Sequence, residues 1–283
     1  MSNIETITFN SEYFDVLSTL ECGQIFRFNK IDKGYLVLSK DKGAIVHTEN
    51  NKTIIQCNTE DRDYFINFFD LDRDYNQICQ KAIGENLSIL SKAVDCGKGI
   101  RILNQDKEET LFSFIISQNN NIPRIKGIIE KLCSSLGEKR EFLGVEYYTF
   151  PTVKKMAEAQ LSFYQKIGLG YRAKYIKELA ESLNNGLNLQ QLNALSTKDL
   201  RKNLLSILGV GNKVADCVLL FGFHRSDSFP VDTWIEKVYK EDLKGDIKDR
   251  TKISDYLVER FKENSGYYQQ YLFYYKRSHE KKD

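Results

Sequence analysis

Lys213 and Asp232 are the residues through which this sequence could do chemistry: an amine able to attack carbon, and nineteen positions later a carboxylate able to stabilise positive charge or relay a proton. Lys213 follows Gly209-Val210-Gly211-Asn212, where an apolar helical run ending at Leu208 stops at two glycines and a second helix begins. Glycine tolerates positive φ and leaves no side chain between backbone and ligand. The free N–H groups opening the second helix, helped by its dipole, make a seat for a phosphate. A buried amine and a carboxylate behind a phosphate-gripping turn point to chemistry on DNA. Plainer readings stand beside each piece. The turn could be a corner between packed helices, Lys213 a solvated residue at a helix start, and Asp232 the N-cap of Asp232-Thr233-Trp234-Ile235-Glu236, a role compatible with chemistry.

The run from Gly209 to Cys217, followed by Phe229-Pro230-Val231-Asp232, resembles the catalytic signature of the 8-oxoguanine DNA glycosylase/AP lyase family, within the helix-hairpin-helix glycosylases. Gly23-Gln24-Ile25-Phe26-Arg27, Ser117 to Arg124, Gly168 to Lys174 and Gly266 to Phe273 resemble the family's other motifs, in family order across nearly the whole chain. The resemblance implies a bifunctional enzyme of base excision repair, acting on double-stranded DNA containing 8-oxoguanine. Its target base must first leave the stack, at a cost of a few kcal/mol. Lys213 would then take C1′, and collapse of the Schiff base by β-elimination would cut the strand on the 3′ side. An ordinary lysine is neutral in only about one molecule in 2,500 at pH 7. The apolar Val214, Val218 and Leu219 would favour a neutral amine by desolvation, whereas an ionised Asp232 would oppose it. Asp232 is therefore expected to stabilise charge developing on the sugar, or to relay a proton.

By the same resemblance, Cys217 and Phe273 take the two faces of the extruded base, Pro230 joins the base-binding set, and Gln269 reads the Watson–Crick edge. The Gly23 carbonyl would accept the N7–H that 8-oxoguanine has and guanine lacks, a difference of about 1–3 kcal/mol, or roughly 5- to 150-fold. Asn119, Arg124 and Arg172 match residues placed around the orphaned cytosine, and Tyr171 the wedge beside it. Gly209, Val210, Gly211 and Trp234 complete the DNA-binding set. Two positions depart from the family pattern: Trp234 stands where many members have histidine near the lesion's phosphate, and Leu208 where proline is common. Neither a metal nor a cofactor is implied. The rival readings are a monofunctional alkyl-base or adenine glycosylase of the same superfamily, against which Lys213 argues, and a non-catalytic damaged-DNA-binding module.

The elements that must position these residues are of two kinds. Glu5–Phe9, Gln24–Phe28, Tyr35–Ser39, Ala44–His47 and Thr53–Cys57 read as short strands separated by turns. From about Asp61 the pattern becomes helical and stays so, with Leu111, Phe114, Ile115 and Gln118 on one face and Ile122, Ile125, Ile128, Ile129 and Leu132 on the next. The fold class expected is α+β: a small N-terminal antiparallel β-sheet domain with bridging helices over 1–100, then a mainly α-helical body with the helix-hairpin-helix over 101–283. The 283 residues suffice for one large core or two modest ones. Against 39 acidic residues, 41 Lys and Arg leave a net charge of +2, so DNA binding must rest on a local patch and backbone donors. Six cysteines without a CxxC pair argue against a zinc knuckle or a four-cysteine iron–sulfur cluster and fit a reducing compartment. No run of about eighteen apolar residues could span a membrane, and the expected location is cytoplasmic and nucleoid-associated in a bacterium or nuclear in a eukaryote; a monomer is expected.

Overall fold

In the computed structural model, which describes residues 3–280, side chains alternate between water and core along β1 (Ile4–Asn10) and β5 (Lys52–Asn58). That period of two marks strands with one covered face. With β2 (Phe28–Ile31), β3 (Gly34–Ser39) and β4 (Lys42–Glu49) they form an antiparallel sheet of order β1-β5-β4-β3-β2. One face buries Val37, Val46 and Ile55 against Phe14, Phe65 and Phe69. The other receives Phe142 and Tyr147 from a hairpin of β6 (Lys139–Phe142) and β7 (Val145–Tyr148).

Two expectations are corrected here. The strand expected over Gln24–Phe28 begins only at Phe28, and residues 22–27 form a buried loop. Gly23, at φ +85, breaks the extended run. Side chains then replace the ladder: Gln24 Nε2 donates to the Thr19 and Arg101 carbonyls at 2.9 and 2.7 Å, and its Oε1 accepts from Leu103 N–H at 2.8 Å. Nor is the chain after Asp61 wholly helical, because the β6–β7 hairpin interrupts it. Its two-residue turn, Leu143-Gly144, has φ of +49 and +81, the left-handed pair that matches strand twist.

The helices are α1 (Val16–Glu21), α2 (Arg62–Phe68), α3 (Tyr75–Gly84), α4 (Ser88–Gly97), α5 (Lys107–Ser117), α6 (Ile122–Leu136), α7 (Val153–Glu158) and α8 (Leu161–Lys166). There follow α9 (Arg172–Asn184), α10 (Leu189–Leu192), α11 (Thr197–Leu205), α12 (Asn212–Phe221), α13 (Thr233–Lys237), α14 (Arg250–Phe261) and α15 (Ser265–Glu280). Side-chain caps set many of their starts. Asp106 accepts from Glu109 N–H to open α5, and Asn121 from Arg124 N–H to open α6, with Pro123 in the first turn. Helix α5 is buried on every side from Glu109 to Ile116 and packs against α6, α9 and α12, so it is the post of the helical body. Helices α3 and α4 bury Tyr75, Ile78, Leu90 and Val94 in that same core. The last helix, α15, lies along α4 and against α13, and its Gln270 and Arg277 donate to the carbonyls of Cys22 and Glu21. Among the described residues no helix is long and apolar enough to cross a membrane.

Candidate active site

Between α11 and α12 the two hairpin glycines answer to different constraints. Gly209 has φ +84, and a Cβ there would lie 2.5 Å from Tyr175 Cγ. Gly211, the N-cap of α12, has an ordinary φ of −92, and a Cβ on it would meet nothing within 4 Å. Its bareness serves whatever approaches from outside. Among the described residues no side chain caps α12, so its first N–H groups are left without a side-chain partner.

Lys213 is the second residue of α12, and it is exposed, not buried. Successive helical positions turn by about 100°, so Val214, Val218 and Leu219 point into the core while Lys213 points away from it. Its Nζ lies 5.2 Å from the Phe114 ring centroid, at a cavity of about 50 Å³ also walled by Gly23, Cys217, Pro230, Asp232, Gln269 and Phe273. Five separate stretches of sequence thus meet at one place. Surface grooves of about 630 and 660 Å³ lie elsewhere, one beside α7 and one over β3 and β4, but neither is lined by Lys213 or Asp232.

Asp232 caps α13. Its Oδ1 accepts from Trp234 and Ile235 N–H, both at 3.0 Å. Among the described residues nothing is bonded to Oδ2, and no ion pair joins Asp232 to Lys213. The carboxylate is therefore oriented through Oδ1 by the helix start and lines the cavity, where Lys213 is a neighbour without being a partner.

The slot itself is chemically asymmetric. Burial pushes the Cys217 thiol up to about 11, with the Lys213 charge pulling the other way, so at neutral pH the wall is a neutral thiol. Gln269, 4% exposed, donates through Nε2 to the Pro230 carbonyl at 3.1 Å. That carbonyl can face only the NH2 end of the amide, which fixes the orientation and leaves Gln269 Oε1 buried without a partner. An orphan acceptor of this kind costs about 1–3 kcal/mol in the free protein. It matches the N–H donors on the Watson–Crick edge of a guanine-type base. Across the slot, Gln270 Nε2 donates to the Cys22 carbonyl and Gln105 Nε2 to that of Gln24, both at 2.8 Å. The Gly23 carbonyl between them meets no donor among the described residues.

The residues expected around an orphaned base lie together on the hairpin side. Asn119, Arg124 and Tyr171 are all exposed, Tyr171 by 54%. Arg124 donates to the Gly168 carbonyl at 3.1 Å, and Tyr171 packs edge-on to Tyr175, the ring that also meets Gly209. Arg172 is placed otherwise: it is 3% exposed, donates to the carbonyls of Gln118, Asn119 and Leu169, and stacks 4.4 Å from the Tyr171 ring. Its fork is committed to holding Asn119 and Tyr171 in place. Gln118 completes the bracket by donating to the Gly209 carbonyl at 2.7 Å. Trp234 is half-buried, with Lys237 Nζ 5.1 Å from its ring. Phe114, Gln270 and Arg277 were not foreseen at the site. Phe114 looked like an ordinary core position, and Gln270 and Arg277 sit on a helix whose partner, the 21–24 loop, no local pattern identifies.

Two family models match the chain: "8-oxoguanine DNA glycosylase, N-terminal domain" over residues 6–111 and "HhH-GPD superfamily base excision DNA repair protein" over 112–263. The N-glycosylase/DNA lyase of Saccharomyces cerevisiae is 32% identical over 299 aligned positions, spanning 91% of this chain and 77% of that protein. The 8-oxoguanine glycosylase/lyase of Clostridium acetobutylicum, solved with double-stranded DNA containing cytosine opposite 8-oxoguanine, superposes with a TM-score of 0.92 at 36% identity, covering 99% of this chain and 98% of that one. The 3-methyladenine DNA glycosylase of Archaeoglobus fulgidus, at 20% identity and a TM-score of 0.71 over 94% of both chains, shares the fold.

Proposed function

The chain belongs to the 8-oxoguanine DNA glycosylase family, and from that membership we propose that it excises 8-oxoguanine from double-stranded DNA and cuts the resulting abasic strand, with Lys213 as the nucleophile. The observation that carries the residue assignment is the convergence of Lys213, Asp232, Cys217, Gln269, Phe273 and Gly23 on one small cavity, with a buried unpartnered acceptor in its wall.

In this reading the hairpin N–H groups and Gly211 grip the backbone while the base enters between Cys217 and Phe273. Gln269 Oε1 accepts from the Watson–Crick edge, and the Gly23 carbonyl from N7–H. Lys213 Nζ forms a bond to C1′ as the bond to the base breaks, and the departing base takes a proton. Asp232 Oδ2 faces the positive charge that develops on the sugar. The Schiff base acidifies C2′; loss of that proton expels the 3′ phosphate, and water then releases the lysine. Because Lys213 stands in the open in the free protein, the desolvation that favours a neutral amine must come from the DNA that covers it. Asn119, Arg124 and Tyr171, braced by Arg172, supply the contacts that favour cytosine opposite the lesion. Both sites are built from one chain, which supports action as a monomer.

Borohydride reduction on an 8-oxoguanine·cytosine duplex tests this reading. A covalent adduct that disappears in Lys213→Gln is expected. Free base without an adduct would mean a monofunctional enzyme, and binding without release a non-catalytic module.

A further inference from the structure

Arg277 stands one helical turn beyond Phe273 on α15 and belongs to none of the motifs above. Its guanidinium carbon lies 5.1 Å from the Phe273 ring centroid, its Nη2 donates to the Glu21 carbonyl, and its Nη1 is 3.5 Å from where a Cβ on Gly23 would be. One side chain therefore touches both walls of the base slot. Stacking through the face of the guanidinium while donating in its plane is something lysine cannot reproduce in full. Two turns earlier, Gln270 holds the Cys22 carbonyl from the same helix. The carbonyls of residues 21 and 22 are thus both pinned from α15, while Gly23, next in line, lines the slot and its carbonyl has no partner among the described residues. Among the described residues no carboxylate pairs with Arg277, so nothing competes for this placement.

We propose that Arg277 is a specificity-determining positioning residue: it fixes the spacing between the Gly23 carbonyl and the Phe273 ring, and so the fit of the oxidised purine between them. The inference rests on reading Gly23 and Phe273 as walls of the base pocket. It separates the two reactions, because excision needs a base in the slot whereas strand cutting at a preformed abasic site does not.

The test compares single-turnover release from an 8-oxoguanine·cytosine duplex with cutting of an abasic·cytosine duplex. Arg277→Met keeps an apolar stem over Phe273 and removes the donor. It is expected to slow release roughly tenfold, the lower end for a charge-assisted hydrogen bond at a surface, while abasic cutting changes by less than about twofold. Arg277→Lys, which keeps a donor for Glu21 but not the stacked guanidinium plane, should recover part of the loss. Equal losses on both duplexes would make Arg277 a DNA-backbone or folding residue and overturn the proposal, as would no loss on either or no recovery with lysine. If the unsubstituted protein releases no 8-oxoguanine, it is the function proposed above that fails.

Discussion

Replacing Asp232 by asparagine, beside replacement by alanine, separates the two tasks assigned to this carboxylate. Both capping bonds end on Oδ1, at 3.0 Å each. Asparagine offers the same oxygen and is an equally good N-cap, so Asp232→Asn should leave stability within a few tenths of a kcal/mol. Alanine removes both bonds at the start of a five-residue helix, at a cost of about 1 kcal/mol. Scaled by the unfolding entropy of a chain this long, that is a fall in Tm of about 2 °C. Excision should order the variants differently. Both lack the charge aimed at the sugar, and loss of one preorganised electrostatic group costs about 10²- to 10³-fold in rate. Thermal melts and single-turnover release at saturating enzyme give the two readings. Near-native excision by Asp232→Asn would refute the argument and leave Asp232 as a cap alone, and so would activity losses that track the two melting temperatures.

The hairpin glycines should respond in opposite ways: Gly209→Ala meets both a positive φ and the Tyr175 ring and should cost roughly 2–4 kcal/mol in a denaturant melt. Gly211→Ala should leave stability nearly unchanged, yet weaken binding of an 8-oxoguanine duplex several-fold by titration, because its methyl would occupy the space in front of the α12 N–H groups. Burial pushes the Cys133 thiol up to about 12, from 9.0. A group with a raised folded pKa contributes stability below its unfolded pKa and loses it as pH rises toward the folded one. Cys133 alone should therefore cost about 1.4 kcal/mol between pH 8 and pH 10. Denaturation of Cys133→Ala over that range should show a shallower alkaline decline than the native chain, and identical slopes would contradict the assignment.

The sequence carried the local chemistry well because hairpin, cap and strand signals are short-range. Lys213, Asp232 and the glycines sit where a turn and a helix start must put them. Side-chain direction was harder. Lys213 was expected to be buried because valine and leucine surround it in sequence, yet on a helix those neighbours face the core and the lysine does not. Arg172 was expected to reach an orphaned base, but three backbone carbonyls from two loops enclose it, and a residue's own neighbours say nothing about such an enclosure. The loop at 22–27 has strand-like composition, and only the distant Arg101, Leu103 and Gln105 show why it does not form one. The β6–β7 hairpin was missed because its strands are four residues each, too short for alternation to register.

The ties from α15 to the 21–22 backbone join residues 248 and 256 positions apart. Closing a loop of that size is slow, though its entropy grows only with the logarithm of its length. A growing polypeptide that has reached Asp232 holds the glycine hairpin, the amine and the carboxylate, but it has no Gln269, Phe273 or Arg277 with which to tell one base from another. Reactivity and discernment are thus acquired in that order along the chain, and the seam between its two distant ends is where an incompletely folded molecule should differ most from a competent one.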